Sequence, residues 1–279
     1  MKPILLSMLM ILMAAANAIA EDRAPAGYLV TLKLAGADAA SKEVVIRNGG
    51  EIAGKLMMPL YDGDVVFVRD PASSIGVELG DGTTMTLGRG LARFKLKGEI
   101  DTGDGTLGIL AAIAGVFAGE GEQAPENMAA KGSSLRMPMA VRGANLIRKD
   151  RNGLWLGWQG GTAPFSVSIS TGGENTLLLK DVRHGAVTVP LAGVTIGKFT
   201  IIINDAEQQK LQLRFRRVDA LPENLPVTGT SQASFLARAA WLTSQEGWRI
   251  EAAQMLHEAG TDTALALRDK IVGGWTYQP

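Results

Sequence analysis

Apolar and polar residues alternate in short runs through two stretches of the chain, residues 28–100 and 146–218. In the first stretch, residues 29–34, 44–47 and 65–68 show the two-residue period of strands, and runs rich in glycine, asparagine and aspartate separate them. This pattern predicts short antiparallel strands that have one buried face and one solvated face.

The clearest predicted hairpin lies between Ile75 and Leu87. Two loop lengths fit it, a two-residue Asp-Gly loop and a three-residue Gly-Asp-Gly loop. The shorter loop would turn Met85 to the wrong face. The longer loop pairs Val77 with Met85 and Ile75 with Leu87, and it places Gly82 where a left-handed residue is favoured. We therefore favour the longer loop.

The second stretch alternates more regularly and predicts an antiparallel sandwich. Gln212, Arg214 and Arg216 are predicted to face solvent, and Trp155 lies on the face opposite Leu154 and Leu156. The residues predicted to face the core are Leu154, Leu156, Trp158, Phe165, Val167, Ile169, Phe199, Ile201, Ile203, Leu211, Leu213 and Phe215.

Beyond the prolines at 222 and 226, the apolar spacing becomes helical. Thr230 or Ser231 is a candidate cap for a first helix, a break follows at Gly247, and a third helix is predicted over about 262–272. One helical hairpin cannot bury its own apolar face, so it should pack on the sandwich or on another protein.

The predicted fold class is therefore mainly β with a small α-helical C-terminal extension, and it contains two antiparallel β-domains in tandem. The predicted divisions are a signal peptide (1–20), a β-domain (28–100), an apolar helix and linker (101–145), a second β-domain (146–220) and a helical tail (230–275). For the apolar run 107–119 we expect a buried helix, with contact to a membrane or a partner protein as the alternative; residues 120–134 read as an exposed linker.

The first twenty residues have the pattern of a secretory signal peptide. Lys2 precedes an apolar run of about 13 residues, which is too short to span a bilayer, and Ala18-Ile19-Ala20 forms a small-residue exit. We expect cleavage after Ala20 and a periplasmic location.

Composition excludes several classes of function. The chain has 28 basic and 28 acidic residues, so it gives no electrostatic footprint for nucleic acid. It has no cysteine, which excludes disulfides and a lipid-modified cysteine anchor. His184 and His257 are the only histidines, and no G-x-S-x-G motif marks an activated serine. We expect neither histidine to be catalytic and no metal or cofactor to be bound.

Two further motifs point to turns rather than to sites. Residues 103–108 match G-x-G-x-x-G, but no second strand follows them, so a turn and helix is favoured over dinucleotide binding. Glu99, Asp101 and Asp104 offer oxygen ligands for calcium, yet the bidentate glutamate of an EF-hand loop is missing. We therefore interpret them as turn residues.

Three resemblances extend this picture. Residues 60–65 (LYDGDV) and 76–88 (GVELGDGTTMTLG) resemble the periplasmic β-domain of the iron-dicitrate sensor (FecR) family, in which an anti-sigma segment and a membrane helix precede the domain, whereas a leader stands there in this chain. Residues 156–165 and 197–205 resemble bacterial immunoglobulin-like domains, which implies that Trp158 is their core tryptophan. The tail resembles a single tetratricopeptide-like hairpin plus a cap.

Together these patterns predict an exported, non-catalytic binding or scaffolding protein that docks another protein of the bacterial cell envelope. The alternatives are an envelope enzyme acting on peptidoglycan or polysaccharide, and a ligand-sensing accessory of a FecR-like system. Trp155, Arg214 and Arg216 are the candidate binding residues. Trp155 is either an exposed stacking surface or part of a second buried face or an interface. No transmembrane span is expected in the mature chain.

Overall fold

A computed structural model describes residues 24–98, 103–119, 134–192, 194, 197–225 and 229–279. The chain divides into two compact units. The first holds the described residues of 24–54 and 58–98, and the second holds 55–57 and the described residues from 103 to 279. The predicted signal peptide, most of the predicted linker, Glu99 and Asp101 lie outside the described residues.

The first unit consists of two four-stranded antiparallel sheets, with strand orders β4-β1-β6-β7 and β3-β2-β5-β8. Both sheets contribute to one core, in which Leu29, Ile75 and Val77 of the first sheet join Val45 and Val66 of the second. The elements are β1 (Gly27–Lys33), α1 (Gly36–Ser41), β2 (Glu43–Arg47), β3 (Gly50–Ala53), β4 (Pro59–Leu60), β5 (Val65–Phe67), β6 (Ser74–Leu79), β7 (Thr84–Leu87) and β8 (Arg93–Lys95).

The β6–β7 hairpin confirms the longer of the two loops. Ile75 pairs with Leu87 and Val77 with Met85. Gly82 has a φ of 79°, a left-handed conformation that glycine adopts without steric cost.

Two buried carboxylates fix loops of this unit. Asp64 accepts from the guanidinium of Arg47 and from the backbone N–H of Tyr61. Asp38 accepts from the backbone N–H groups of Arg69 and Asp70 and from the Ser73 hydroxyl. Burial opposes its charge, but these donors prevail and lower the pKa of Asp38.

The second unit contains a five-stranded sheet in the order β12-β11-β14-β15-β9 and a two-stranded sheet, β10-β13. The strands are β9 (Ala144–Arg148), β10 (Gly153–Gly157), β11 (Phe165–Thr171), β12 (Glu174–Val182), β13 (Ala186–Pro190), β14 (Lys198–Asn204) and β15 (Lys210–Val218). Pairing is antiparallel except between β15 and β9, which are parallel. The expectation of antiparallel strands throughout is wrong at this pair, because alternation fixes which face a side chain takes and says nothing of strand direction.

The predicted inward faces of this unit are confirmed. All the core residues named from the alternation are buried except Leu211, which is half-buried, while Gln212, Arg214 and Arg216 are exposed. Trp158 is 4% exposed and packs edge-to-face on Phe165, with ring centroids 5.2 Å apart.

Four longer helices complete the second unit: α2 (Gly103–Ala118), α3 (Gln232–Ser244), α4 (Arg249–Ala259) and α5 (Asp262–Val272). The G-x-G-x-x-G segment forms the first turns of α2, as the turn-and-helix interpretation predicts, and α2 buries Ile109, Leu110 and Ile113 and packs against α3. Ser231 caps α3 by accepting from the backbone N–H of Ser234.

The mainly β fold with a small helical C-terminal region is confirmed. The predicted domain boundaries stay a prediction. Within the described residues, no helix has the length and apolar character needed to cross a membrane.

Candidate functional site

Arg214 and Arg216, two of the three candidate binding residues, line a groove on the outer face of the five-stranded sheet. The groove measures about 460 Å³. We call it the basic groove, because it also contains Lys198, and Ser170 and Thr200 add hydroxyl groups to its lining.

Strand register brings these side chains together. On β14 and β15, Lys198 lies opposite Arg216 and Thr200 lies opposite Arg214. Ser170 of β11 lies opposite Thr200 on the other side. The alternating residues Phe199 and Phe215 point inward and stack with ring centroids 5.1 Å apart. The polar residues of the two strands therefore share the outer face.

The three cations of the basic groove are exposed, and none forms an ion pair with any residue that the structure describes. Other cations of the same unit are neutralised, since Lys149 pairs with Asp219 and Arg151 pairs with Glu251. No acidic residue is among those that line the groove. It is therefore a concentrated region of positive potential in a chain of balanced charge.

Trp155, the third candidate, does not offer an exposed ring. It is 8% exposed and stacks on His257, with centroids 5.0 Å apart. The guanidinium of Arg268 lies 4.5 Å from the centre of the indole. The hypothesis of an exposed stacking surface is thus wrong, because α4 and α5 cover the ring. The alternative, a second buried face, agrees with its burial.

Two side chains of α4 and a backbone carbonyl of the turn before it bind the edges of two strands. Leu146 of β9 donates its backbone N–H to the Gly247 carbonyl oxygen (2.8 Å), and Arg148 donates its backbone N–H to Glu251 Oε2 (3.2 Å). On β10, the backbone N–H of Trp155 donates to Gln254 Oε1 at 2.6 Å. We call these contacts the edge network. They satisfy backbone N–H groups of β9 and β10 that point away from the described partner strands.

A buried ion pair lies beside the edge network. Arg151 Nη2 is 2.5 Å from Glu251 Oε1, and a second Arg151 nitrogen contacts the Glu258 carboxylate. Glu251 is fully buried, and this burial raises its pKa even though Arg151 and the Arg148 N–H counteract it. A cavity of about 400 Å³ adjoins these groups, but the charged side chains that line it are already in ion pairs, Arg151 with Glu258 and Asp150 with Arg148.

His257 is also held by its neighbours. Burial lowers its pKa, and the positive charge of Arg268 lowers it further. Arg268 Nη1 lies 3.0 Å from His257 Nδ1, and because arginine only donates, this nitrogen accepts and the imidazole is neutral. His184, in contrast, is exposed in a turn. Among the described residues, no group of three or more histidine or acidic side chains has the placement of a metal site.

The opposite edge of the five-stranded sheet is open. β12 is the terminal strand, and no described strand pairs with its outer edge. The ladder to β11 is regular over Glu174–Leu177 and shifts register further on. Leu177 is 47% exposed, the largest exposed fraction among the big apolar side chains of the described chain.

Sequence reasoning missed Lys198 and Leu177. The alternation around Phe199 could have placed Lys198 on the solvent face, but only the register between β14 and β15 brings it to Arg216. Leu177 lies in a run of three leucines whose sequence does not reveal that β12 is an edge strand.

Comparison with known proteins returns no similarity: no protein family, no curated protein and no solved structure matches this chain.

Proposed function

We propose that this chain is an exported, non-catalytic binding or scaffolding protein of the bacterial cell envelope, and that it docks a partner protein through the open edge of β12. The observation that carries the proposal is the regular segment Glu174–Leu177, which has an unpaired outer edge and the exposed Leu177. An edge of this kind pairs readily with an extended segment of another chain.

The chemistry of the edge suits such a partner. Backbone hydrogen bonds would supply affinity without regard to sequence, and Leu177 would select an apolar side chain at the facing position. The other long edge of the same sheet, at β9, is occupied by the α3–α4 turn and by Glu251. The proposed docking surface is therefore confined to one side of the sheet.

The non-catalytic part of the proposal is supported by how the histidines are placed. His257 stacks on Trp155 and accepts a hydrogen bond from Arg268, which leaves its Nδ1 committed. The leader and the FecR-like and immunoglobulin-like motifs support the envelope location, since modules of these kinds act outside the cytoplasm.

Site-specific photocross-linking tests the docking surface. A photoreactive amino acid at position 177 of the full chain, expressed in its native cell, should yield one recurrent protein adduct. Leu177→Lys should abolish recovery of the same partner in affinity purification, because lysine on an edge strand prevents pairing. Leu91→Lys is the matched control, since Leu91 is the other large exposed apolar residue, at 39%.

Equal recovery of the partner with Leu177→Lys and with the wild type would contradict the proposal. Export is tested separately by fractionating the cells and sequencing the amino terminus of the envelope form, which should begin at Glu21. A protein recovered only from the cytoplasm with Met1 retained would overturn the envelope assignment.

A further inference from the structure

We infer that the basic groove is a binding site for a compact ligand that carries two neighbouring phosphate groups, such as a pyrophosphate ester. The inference does not depend on the proposed docking edge, although Gly172 and Gly173 of the groove lining immediately precede β12. It is assigned from the arrangement of Lys198, Arg214 and Arg216 on one face of the sheet.

The first reason is that the groove places like charges side by side without compensation. Lys198 and Arg216 are directly opposite on neighbouring antiparallel strands, which brings their β-carbons to roughly 5 Å and makes them repel. Arg214 lies on the same face, two residues from Arg216. None of the three pairs with an acid of the described chain. A bound anion would remove this repulsion.

The second reason is that the side chain of Arg217, next to Arg216 in sequence, is held by hydrogen bonds within the protein. Arg217 points away from the groove residues and donates to the backbone carbonyl oxygens of Val194, Lys149 and Arg151. Its guanidinium therefore has a structural role. Arg214 and Arg216 have no such partners among the described residues, and their guanidinium N–H donors are exposed to solvent.

The third reason is the chemistry of the lining. A guanidinium binds phosphate through two parallel hydrogen bonds, and a lysine adds a point charge. The Ser170 and Thr200 hydroxyls can donate to further oxygens. Gly143 and Gly172 border the groove, and a β-carbon added at either would meet no atom within 4 Å. The walls therefore leave room for an anionic group to approach the backbone.

The size of the groove favours a small ligand over a polymer. About 460 Å³ lies within the range of sites for small molecules. Lys198 lies directly opposite Arg216 and diagonally opposite Arg214. The β-carbons of such cross-strand and diagonal pairs lie roughly 5–8 Å apart. Two linked phosphate groups span such a distance, whereas a single phosphate leaves one cation without a partner.

Isothermal titration of the purified full-length protein with inorganic pyrophosphate tests the inference. We expect saturable binding of one pyrophosphate per chain, weakened by added salt. Arg214→Gln and Arg216→Gln should each weaken it about tenfold, the worth of a lost charged hydrogen-bond pair. Arg216→Lys should weaken binding less than Arg216→Gln, because lysine keeps the positive charge but lacks the two parallel N–H donors of a guanidinium.

The matched control removes the same charge elsewhere on the unit. Arg183 and Lys210 are exposed cations, and Lys210 lies at the far end of the β14–β15 pair, opposite Asn204. The double variant Arg183→Gln/Lys210→Gln should bind pyrophosphate as the wild type does. If it weakens binding as much as Arg214→Gln/Arg216→Gln, or if the wild type does not bind, the inference is wrong.

Two further probes identify the source of the phosphate. Co-sedimentation with vesicles of phosphatidylcholine and diacylglycerol pyrophosphate, in addition to pyrophosphate binding that Arg214→Gln weakens, supports the site and assigns it to a lipid headgroup. Pyrophosphate binding without vesicle binding assigns it to a free compound. Binding to polyglutamate or to vesicles without pyrophosphate binding overturns the inference. Circular dichroism and the melting temperature verify that each variant is folded.

Discussion

The two edges of the five-stranded sheet in the second unit are treated in opposite ways. At β9, Leu146 and Arg148 donate their backbone N–H groups to Gly247 and Glu251. At β12, the last strand on the other side, no described strand pairs with the outer edge, and Leu177 is exposed. The same sheet therefore has one covered edge and one open edge.

The covered edge at β9 and an edge of β10 in the two-stranded sheet both depend on residues that are costly to bury. Glu251 is inside the protein and its pKa is raised by that burial, and Gln254 is 3% exposed. Glu251 takes the place of a missing strand at β9, where it accepts from the Arg148 N–H, and Gln254 does so at β10 of the two-stranded sheet, where it accepts from the Trp155 N–H. The helical tail therefore packs on strands β9 and β10 of its own unit, which agrees with the first of the two alternatives that the sequence left open.

Glycine at position 247 makes the close approach of the α3–α4 turn to β9 sterically feasible. Its φ is 83°, and a β-carbon there would lie 2.8 Å from the Ala144 carbonyl oxygen. No comparable element approaches the outer edge of β12 within the part of the chain that the structure describes. The α3–α4 turn and α4 thus cover the β9 edge of this sheet, and the β12 edge has no such cover among the described residues.

Glu251→Ala should disrupt the covered edge most. It removes the acceptor for the Arg148 N–H and leaves Arg151, which is 9% exposed, without its buried partner. Loss of one member of a buried pair costs about 3–5 kcal/mol of unfolding free energy. Chemical denaturation measures the loss, and Glu258→Ala is the matched control at the half-exposed partner of the same arginine. Equal losses in the two variants would contradict the role given to Glu251.

Gln254→Leu should have the next largest effect. The substitution keeps the volume near Trp155 but leaves its backbone N–H buried without an acceptor. An unsatisfied buried donor costs about 1–3 kcal/mol. Hydrogen exchange should also accelerate at the Trp155 amide and leave the amides of β11 unchanged. An unaltered Trp155 exchange rate would show that Gln254 does not cover the edge of β10.

The third prediction concerns pH. The pKa of His257 is lowered from 6.5 in the folded protein by burial and by Arg268. The folded state therefore takes up a proton less readily than the unfolded state, so stability is present above pH 6.5 and is lost as pH falls through the lowered pKa. His257→Phe keeps an aromatic ring on Trp155 and cannot titrate.

Melting temperatures at descending pH measure this effect. The wild type should lose more stability than His257→Phe below pH 6.5, while His184→Gln, at the exposed histidine, should follow the wild type. A His257→Phe curve parallel to that of the wild type would contradict the assignment of His257 as a neutral, packed imidazole.

Much of the fold was predictable because its determinants are local. Loop length and the faces of Val77 and Met85 fixed the register of the β6–β7 hairpin. The sequence placed the start of α3 at Thr230 or Ser231, and Ser231 is the residue that accepts from the backbone N–H of Ser234. The alternation of apolar and polar residues placed Phe215 on the buried face of β15 and Arg214 on the exposed face. These features need only the nearest few residues.

The sites were less predictable because they join distant residues. The acceptor for the Trp155 N–H is Gln254, 99 residues further along the chain, and nothing near Trp155 in sequence indicates that a helix covers it. Lys198 joins Arg216 only through strand register. The parallel pairing of β9 and the edge position of β12 are properties of topology, which the period of a strand does not contain.

Leu177→Lys should change folded stability least and association most. Leu177 is 47% exposed and lies at an edge, so its substitution should alter the free energy of unfolding by no more than about 0.5 kcal/mol.

The outward-facing neighbours of Leu177 on β12 should exchange their amide hydrogens rapidly, whereas the Leu146 and Arg148 amides of β9 should be protected by Gly247 and Glu251. Hydrogen exchange on the isolated wild-type protein measures this contrast, and exchange after addition of the docked partner should slow on β12 in the wild type and stay fast in Leu177→Lys. Slow exchange of every β12 amide in the isolated protein would mean that this edge is already covered, and the distinction between the two edges would then be lost.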